Sequence, residues 1–157
     1  MAVFFSNPKA RRESASRWPD RAGDDRIGTL LDYELRARAL RCHMFDPDVI
    51  NDSSWLLAQD LFAAHLRRQK MRTKELCDTS GLPQTTVIRY LDHLQRLDLV
   101  RREGDPDDSR ATLVSMTEWG AYWMREYYSQ VIVAERRAAI TGRGLFALAA
   151  ETEALEP

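Results

Sequence analysis

Cysteine is scarce in this chain. Its two cysteines, Cys42 and Cys77, cannot build a disulfide framework across 157 residues. Together with the three histidines they show no metal-ligand spacing such as CxxC or HxxxH, so we expect neither a metal site nor a cofactor. The sequence also has no Gly-rich phosphate loop, no Ser-His-Asp signature and no paired-carboxylate signature. We therefore predict that the protein is not an enzyme.

Long apolar runs are absent as well. No run reaches the roughly 20 residues that a membrane-spanning helix needs. The opening stretch MAVFFSNPKARRE places a short apolar patch before its charges, which is the wrong order for a secretory signal peptide. We expect a soluble protein in the reducing cytoplasm, with no membrane partner. Its 157 residues, 44% of them hydrophobic, suffice for one domain with an extension at each end.

Charge is small in total but uneven along the chain. The net charge is −1, whereas residues 66–102 contain nine basic and four acidic side chains. On charge alone, a solvated surface is the simpler interpretation. A local basic face is nevertheless what phosphate binding requires. A motif in the same region decides between a solvated surface and a phosphate-binding surface.

Apolar spacing and turn residues predict four helices in the first two thirds of the chain. A helix from Asp25 to His43 carries two apolar stripes, which suggests one contact with the core and one with a partner subunit. N-cap residues at 51–54 precede a second helix, WLLAQDLFAAHLRR. Thr73 is the predicted cap of a short third helix, and Gly81 the turn before a fourth, which covers about Gln84 to Leu97.

A charged hairpin follows. Leu99–Glu103 and Ala111–Ser115 favour strands, and the GDPDDSR between them encodes a reversal. Thr117 is the predicted cap of a long helix that ends at Gly142 and Gly144, and one short amphipathic helix is expected after it. The predicted fold is mostly α with a small β-hairpin wing, a winged helix-turn-helix. Its parts are a mobile arm (1–24), a dimerisation helix (25–50), the winged helix-turn-helix (51–116) and C-terminal dimerisation helices (117–157).

The fourth helix has the composition of a DNA-reading element. Val87, Leu91 and Leu94 fix one face to the core, while the opposite face is polar. Gln suits adenine, Thr can meet the thymine methyl group, and Arg suits guanine. Arginines on the hairpin can reach phosphates or a minor groove. The predicted DNA contacts are Gln84, Thr85, Thr86, Arg89, His93 and Arg96 on the helix, and Arg101, Arg102 and Arg110 on the hairpin.

Two segments, KELCDTSGLPQTTVIRYLDHL and LVRREGDPDDSRATLVSMTEWG, resemble the MarR family of transcriptional regulators. The resemblance covers about Trp55 to Gly120. It implies a cytoplasmic homodimer joined by its first and last helices, each subunit reading one half-site of a palindromic double-stranded DNA operator. Because members of this family are more often repressors than activators, the resemblance also implies a repressor.

The resemblance assigns roles within the wing. The family's wing aspartate falls on Asp108, which would orient the wing, and its arginine on Arg110, which would contact a minor groove or phosphate. Two positions depart from the pattern. Ser109 replaces a second basic residue, and Asp98 replaces the glycine that usually ends the recognition helix; aspartate adopts the left-handed conformation less readily than glycine.

Three alternatives stay open for what controls the protein. The resemblance implies release by a small aromatic acid, and an aromatic slot with a cation suits such a ligand. Cys42, between Arg41 and His43, is instead a candidate peroxide-sensing thiol, although a packing role is favoured. The third is a winged helix that binds DNA or protein without a ligand. The candidate ligand pocket comprises Tyr33, Arg36, His43, Trp55, Gln59, Phe62, Trp119, Tyr122 and Trp123.

Overall fold

A computed structural model describes residues 21–46 and 49–141 of the chain. These residues form five helices and three strands. In chain order they are α1 (Arg21–Met44), α2 (Asp52–Leu66), β1 (Met71–Arg72), α3 (Thr73–Ser80), α4 (Gln84–Arg96), β2 (Val100–Asp105), β3 (Asp108–Met116) and α5 (Glu118–Ile140). The predicted fold class is confirmed. The sequence did not predict β1, and the expected last short helix lies outside the described residues, as does the predicted arm up to residue 20.

Helix α1 begins at Arg21, four residues before the predicted start at Asp25. The prediction located the start from the first apolar residues of the stripe. Apolar spacing marks only those turns of a helix that pack against other residues. The helix continues beyond these turns wherever the helix propensity of the residues allows it. The start of a helix is therefore a boundary that apolar spacing locates poorly.

The sheet has the strand order β1-β3-β2, with both pairs antiparallel. Val114 in the middle of β3 lies opposite Met71 on one side and Arg102 on the other. The register shifts between Gly104 and Asp105, which is a bulge at the wing tip. β2 and β3 are both longer than predicted, so the hairpin reaches further from the helices than the sequence suggested.

Six apolar side chains in α2, α3 and α4 are at most 1% exposed and form the centre of the core. The apolar positions that the sequence assigned to the inner face of α4 are buried, as predicted. Burial of one such side chain stabilises the fold by about 1.5–3 kcal/mol. The fold of this region is therefore held mainly by Leu57, Leu61, Leu76, Val87, Leu91 and Leu94.

Side-chain caps fix where α2 and α5 begin. The Asn51 side chain accepts hydrogen bonds from the N–H groups of Ser53 and Ser54, both at 3.1 Å. Thr117 Oγ1 accepts from the N–H of Gly120 at 2.9 Å. The prediction that Thr73 caps α3 is wrong: Arg72 is the N-cap residue, and its N–H donates to the Glu75 carboxylate at 2.7 Å.

Helices α2 and α4 end in the same way. The N–H of Gln69 donates to Ala64 O at 2.9 Å, and the N–H of Leu99 donates to Leu94 O at 3.0 Å. The residue before each donor, Arg68 or Asp98, has a positive φ of 58° or 56°. Glycine usually occupies this left-handed position. The expected left-handed conformation of Asp98 is confirmed, and Arg68 is a second non-glycine residue in it.

The chain divides into two compact units, Arg38–Val133 and a second one that joins Met1–Ala37 to Ala134–Pro157. The first unit contains the core and the sheet. In the described part of the second, Arg36 on α1 forms an ion pair with Glu135 on α5 at 2.9 Å, and Glu135 is buried. Four apolar side chains on α1 are about half exposed: Ile27, Leu30, Leu31 and Leu35. Across residues 21–46 and 49–141, no helix is long and apolar enough to cross a membrane.

The Gly120 backbone approaches the turn after α4 so closely that a side chain has no room. A Cβ on Gly120 would lie 2.2 Å from the carbonyl oxygen of Leu99. That oxygen already accepts a hydrogen bond from the N–H of Thr117, so it is not free to move. We expect Gly120→Ala to destabilise the fold by about 1–3 kcal/mol.

Gly104→Ala is the matched control, because nothing lies within 4 Å of a Cβ built on Gly104. Its effect should stay within about 0.5 kcal/mol. Urea unfolding of the two variants measures the difference. Equal midpoints would show that the contact between Gly120 and Leu99 is not the constraint described here.

Candidate nucleic-acid interface

The N-terminal end of α4 is an exposed polar surface. Gln84 and Thr85 are exposed, and neither side chain has a hydrogen-bond partner among the described residues. Arg89, one turn further, is also exposed and forms no ion pair within that part of the chain. Because α4 begins directly after Pro83, its first N–H groups point out of the same end. The helix thus offers both hydrogen-bonding side chains and a site that favours phosphate.

Tyr90, which the sequence analysis did not select, lies beside Arg89 on α4. It is half-buried, and the Arg89 guanidinium lies 4.9 Å from the centre of its ring. A hydrogen bond with Ser53 and then the contact with Arg89 lower the pKa of the Tyr90 hydroxyl. The Tyr90 ring therefore gives the Arg89 guanidinium a flat surface to lie on.

The two arginines nearest the far end of α4 differ in their contacts. Arg102 on β2 forms an ion pair with Asp92, and its Nε donates to Gln95 Oε1 at 2.7 Å. It thereby fixes the first wing strand to α4. Arg96 is exposed, and the one contact of its side chain within the described residues is a 3.3 Å hydrogen bond from Nε to the Asp92 carbonyl. The charge of Arg96 is therefore available to a phosphate group. Arg102 would first have to leave Asp92 and Gln95 before it could contact one.

A concave surface of about 510 Å³ lies between α4 and the wing. The residues that line it include four cations and one carboxylate, so its charge is positive. Gln84 belongs to both this surface and the exposed end of α4. We call it the reading groove; it is lined by Arg72, Thr73, Lys74, Gln84, Ile88, Arg102, Asp108, Arg110, Ala111 and Thr112.

Two aspartates shape the wing. Asp108 Oδ1 accepts a hydrogen bond from the N–H of Arg110 at 3.0 Å, which is a local turn contact at the tip. Asp105 is 7% exposed and contacts three groups: the N–H of Asp107 at 2.9 Å, Arg72 Nε at 2.8 Å and an Arg72 terminal nitrogen at 2.7 Å. The resemblance assigned the orienting role to Asp108 alone. The side-chain contact that joins the wing tip to Arg72, between β1 and α3, belongs to Asp105, to which the sequence analysis assigned no orienting role.

The charge on Asp105 is stabilised in the folded protein. The hydrogen bond from the N–H of Asp107, followed by the Arg72 guanidinium, holds the pKa of Asp105 below its usual range. The same pair raises the pKa of Arg72. A carboxylate with a lowered pKa stabilises the fold above its unfolded-state pKa of about 3.9. This stabilisation is lost as the pH falls through the folded-state pKa.

The wing arginines do not share one surface. Arg101 lies opposite Ser115 and donates to its hydroxyl at 3.1 Å, and Arg102 lies opposite the buried Val114. Because neighbouring residues of a strand point to opposite faces, Arg101 points away from the face of the sheet that contacts α4. Arg110 is exposed at the wing tip. Of the three arginines predicted as DNA contacts on the hairpin, Arg102 and Arg110 line the reading groove and Arg101 does not, which is a first correction to the predicted surface.

The placement of His93 is a second correction. His93 was predicted on the DNA side of α4. It is half-buried, and its Nε2 contacts the carbonyl oxygen of Val49 in the segment before α2. Thr86 is also half-buried, whereas Gln84, Thr85, Arg89 and Arg96 are exposed as predicted. The helical spacing placed His93 near the edge of the polar face, and a neighbouring segment covers that edge.

The predicted aromatic pocket separates into different environments. Trp55 is buried and packs edge to face on Tyr127, with 4.7 Å between the ring centres, and Phe62 stacks on Tyr128 at 5.8 Å. Gln59 donates to the Tyr128 hydroxyl at 2.9 Å. These side chains are already engaged in ring packing and in a hydrogen bond with neighbours inside the core. The cavity between Trp55 and Trp123 therefore measures only about 10 Å³, about the space of one water molecule.

The other predicted pocket residues are exposed or belong to the second unit. Trp119 and Tyr122 are about half exposed and stack on each other at 5.7 Å. His43 is exposed. Tyr33 and Arg36 belong to the unit that contains the first half of α1. Within Arg38–Val133 the structure therefore does not assemble the predicted pocket as a cavity. Cys42 is exposed, and Cys77 is half-buried.

The contact between Asp105 and Arg72 leads to a pH prediction. Asp105→Asn keeps the acceptor for the N–H of Asp107 but loses the charge that Arg72 contacts. In the wild type, wing amide protection should fall as the pH drops below about 4; in Asp105→Asn it should already be low at pH 7 and change little. Hydrogen exchange of the β2 and β3 amides measures this. The exposed Asp107→Asn is the control, and a wild-type profile in Asp105→Asn would refute the role of the pair.

Comparisons with known proteins agree with this geometry. Residues 55–120 match a sequence family described as a winged helix DNA-binding domain. No curated protein is significantly similar in sequence. Among solved structures, the chain resembles apo MarR from E. coli, with 19% identity, a TM-score of 0.57, and coverage of 80% of this chain and 90% of that one.

MepR from S. aureus is similar to the chain in two structures. The MepR–DNA complex has 17% identity and a TM-score of 0.55, with 81% of this chain and 96% of that one covered. MepR bound to ethidium bromide has 14% identity and a TM-score of 0.55, covering 78% and 85%. Likeness at these identities establishes a shared fold, and it confirms at that level the resemblance seen in the sequence. Residues 55–120 therefore match the winged helix DNA-binding domain family, and the chain shares the fold of MarR and MepR.

Proposed function

We propose that the protein is a sequence-specific DNA-binding transcriptional regulator that binds a near-palindromic operator as a homodimer. One observation carries the proposal. Gln84, Thr85 and Arg89 project from the N-terminal end of α4, unpaired with any carboxylate in the described residues, and α4 borders the positively charged reading groove. A surface of this kind suits a nucleic acid, which offers base edges to the side chains and phosphates to the groove.

In this proposal α4 enters the major groove. Arg89 binds a guanine edge with two hydrogen bonds, Gln84 reads adenine, and the Thr85 methyl group contacts thymine. Lys74 and Arg96 contact phosphates on either side, since both are exposed cations next to the α4 end or the groove. Arg110 follows the backbone or enters the neighbouring minor groove. MepR, which has the same fold, is known in complex with DNA, and this supports DNA as the partner.

The homodimer rests on the exposed apolar stripe of α1. Ile27, Leu31 and Leu35 recur every four residues and are 46%, 51% and 54% exposed. Contiguous exposed apolar side chains on one helix face are typical of a protein–protein interface. In a two-fold dimer two α4 helices would read half-sites whose centres are roughly 10 base pairs apart. Repression, by occupation of a promoter, is proposed from the resemblance to the MarR family.

Control by a small aromatic ligand is a further part of the proposal, and two observations bear on it in opposite directions. MepR, with the same fold, is known bound to ethidium bromide. The cavity of about 10 Å³ between Trp55 and Trp123 instead favours the alternative of a regulator without a ligand, because a ligand there would have to displace packed rings. A thiol switch at Cys42 is a second alternative, which the exposure of this cysteine permits.

Exchange of Arg89 tests which residue reads the sequence. Arg89→Lys keeps the charge but loses the planar fork, so operator affinity should fall about 5- to 150-fold, equivalent to about 1–3 kcal/mol, while affinity for scrambled DNA stays nearly unchanged. Arg110→Ala should weaken both affinities together and reduce the salt dependence by roughly one counterion per subunit. Competition titrations at one fixed salt concentration measure both. If Arg89→Lys binds operator as tightly as the wild type, α4 does not read guanine through Arg89.

Exchange of Leu31 tests the dimer. Leu31→Glu places a charge in the exposed stripe of α1, where a partner subunit would have to bury it. The wild type should sediment as a dimer at micromolar concentration and Leu31→Glu as a folded monomer with weakened operator binding. Asp32→Lys, an exposed charge outside the stripe, is the control. A monomeric wild type would remove both the dimer and the paired half-sites from the proposal.

A further inference from the structure

A second concave surface, of about 540 Å³, lies behind the wing. Its residues come from the end of α2, the segment before β1, the strands β2 and β3, and the start of α5. Arg101, which points away from the face of the sheet that contacts α4, is one of them. We call this surface the rear pocket; it is lined by His65, Leu66, Arg68, Gln69, Lys70, Arg101, Ser115, Met116, Glu118 and Arg125.

Cations outnumber carboxylates in the rear pocket. Arg68, Lys70, Arg101 and Arg125 line it, and Glu118 is the acidic residue of the lining. Lys70 forms an ion pair with Glu103 outside the lining.

Among the described residues, Arg68, Arg101 and Arg125 form no ion pair with a carboxylate. Arg125 contacts Nε2 of His65 at 3.2 Å, and Arg101 donates to the Ser115 hydroxyl at 3.1 Å. The Arg68 side chain forms no hydrogen bond or ion pair within the described chain. Three guanidinium groups and one carboxylate, Glu118, in the lining of one concavity leave an excess of positive charge that a bound anion would offset.

Arg68 adds an independent observation. It occupies the left-handed position of the cap of α2, with φ 58°, where glycine is the usual residue. Asp98 occupies the equivalent position of the α4 cap, and aspartate tolerates this conformation better than arginine does. A long side chain held in an unfavourable backbone conformation is typical of a functional position. In the rear pocket, that conformation is combined with an unpaired guanidinium group.

We propose that the rear pocket binds phosphate groups of a multiply charged anion. The guanidinium fork matches phosphate oxygens, and the excess of cations favours an anion with more than one charge, such as a diphosphate or triphosphate. The volume of about 540 Å³ lies within the range of pockets for small molecules. The phosphates belong either to a free phosphorylated small molecule or to the backbone of bound DNA. The proposal does not depend on how α4 reads DNA.

Inorganic pyrophosphate is the probe, titrated into the full chain by calorimetry in a buffer free of phosphate. Arg68→Gly should weaken pyrophosphate binding about tenfold or more, through loss of a charge-assisted contact. It should leave the protein at least as stable as the wild type, because glycine fits the cap. Asp98→Gly makes the same backbone change in the other cap and should leave pyrophosphate binding unchanged. Arg101→Gln is a second variant that should weaken binding without altering a cap.

DNA titrations with the same variants distinguish the two sources of phosphate. Pyrophosphate binding that requires Arg68 and Arg101, with DNA affinity unaffected by either variant, identifies a small molecule. Absence of pyrophosphate binding, combined with lower DNA affinity in Arg68→Gly and Arg101→Gln but not in Asp98→Gly, identifies the DNA backbone. Pyrophosphate binding that is unchanged in both arginine variants overturns the proposal. It is equally overturned if the wild type does not bind pyrophosphate and neither arginine variant changes DNA affinity.

Discussion

The contact between the Asp105 carboxylate and the Arg72 guanidinium determines where the wing lies. Asp105 ends β2 at a bulge and is buried, while Arg72 ends β1 and is also the N-cap residue of α3. The pair therefore adds a side-chain contact at the wing tip to the backbone pairing of β1 with β3. A buried carboxylate without such a partner is unfavourable, so the hairpin is held where Arg72 can reach it. Arg72 also lines the reading groove, together with Arg110 and Gln84.

The alternation of side chains in β2 divides the positive charge of the wing between two surfaces. Arg102 faces α4, where Asp92 and Gln95 hold it, and contributes as much to the position of β2 as to the charge of the reading groove. Arg101 faces the opposite side and joins Arg68 and Arg125 in the rear pocket. A cluster of basic residues in the sequence thus becomes two separate anion-attracting surfaces on a protein whose net charge is −1.

The aromatic residues of α2 and α5 contribute mainly to stability. Rings that pack edge to face at 4.7 Å gain energy beyond their buried area. The same packing leaves almost no free volume around Trp55, so any ligand that entered there would compete with the core of its own domain. The exposed pair of Trp119 and Tyr122 is the part of this cluster that does not contribute to that core.

The sequence by itself determined the helices α1 to α5, the hairpin, the caps at Asn51, Gly81 and Thr117, and the exposed polar end of α4. These features depend on side chains within a few residues of one another, where helical spacing, N-cap chemistry and turn residues act directly. Only the tertiary structure decided that Asp105 pairs with Arg72, 33 residues earlier, that Arg101 and Arg102 separate, and that Val49 covers His93. Strand register and long-range packing set these contacts, and a one-residue difference in register turns a side chain to the other face of a sheet.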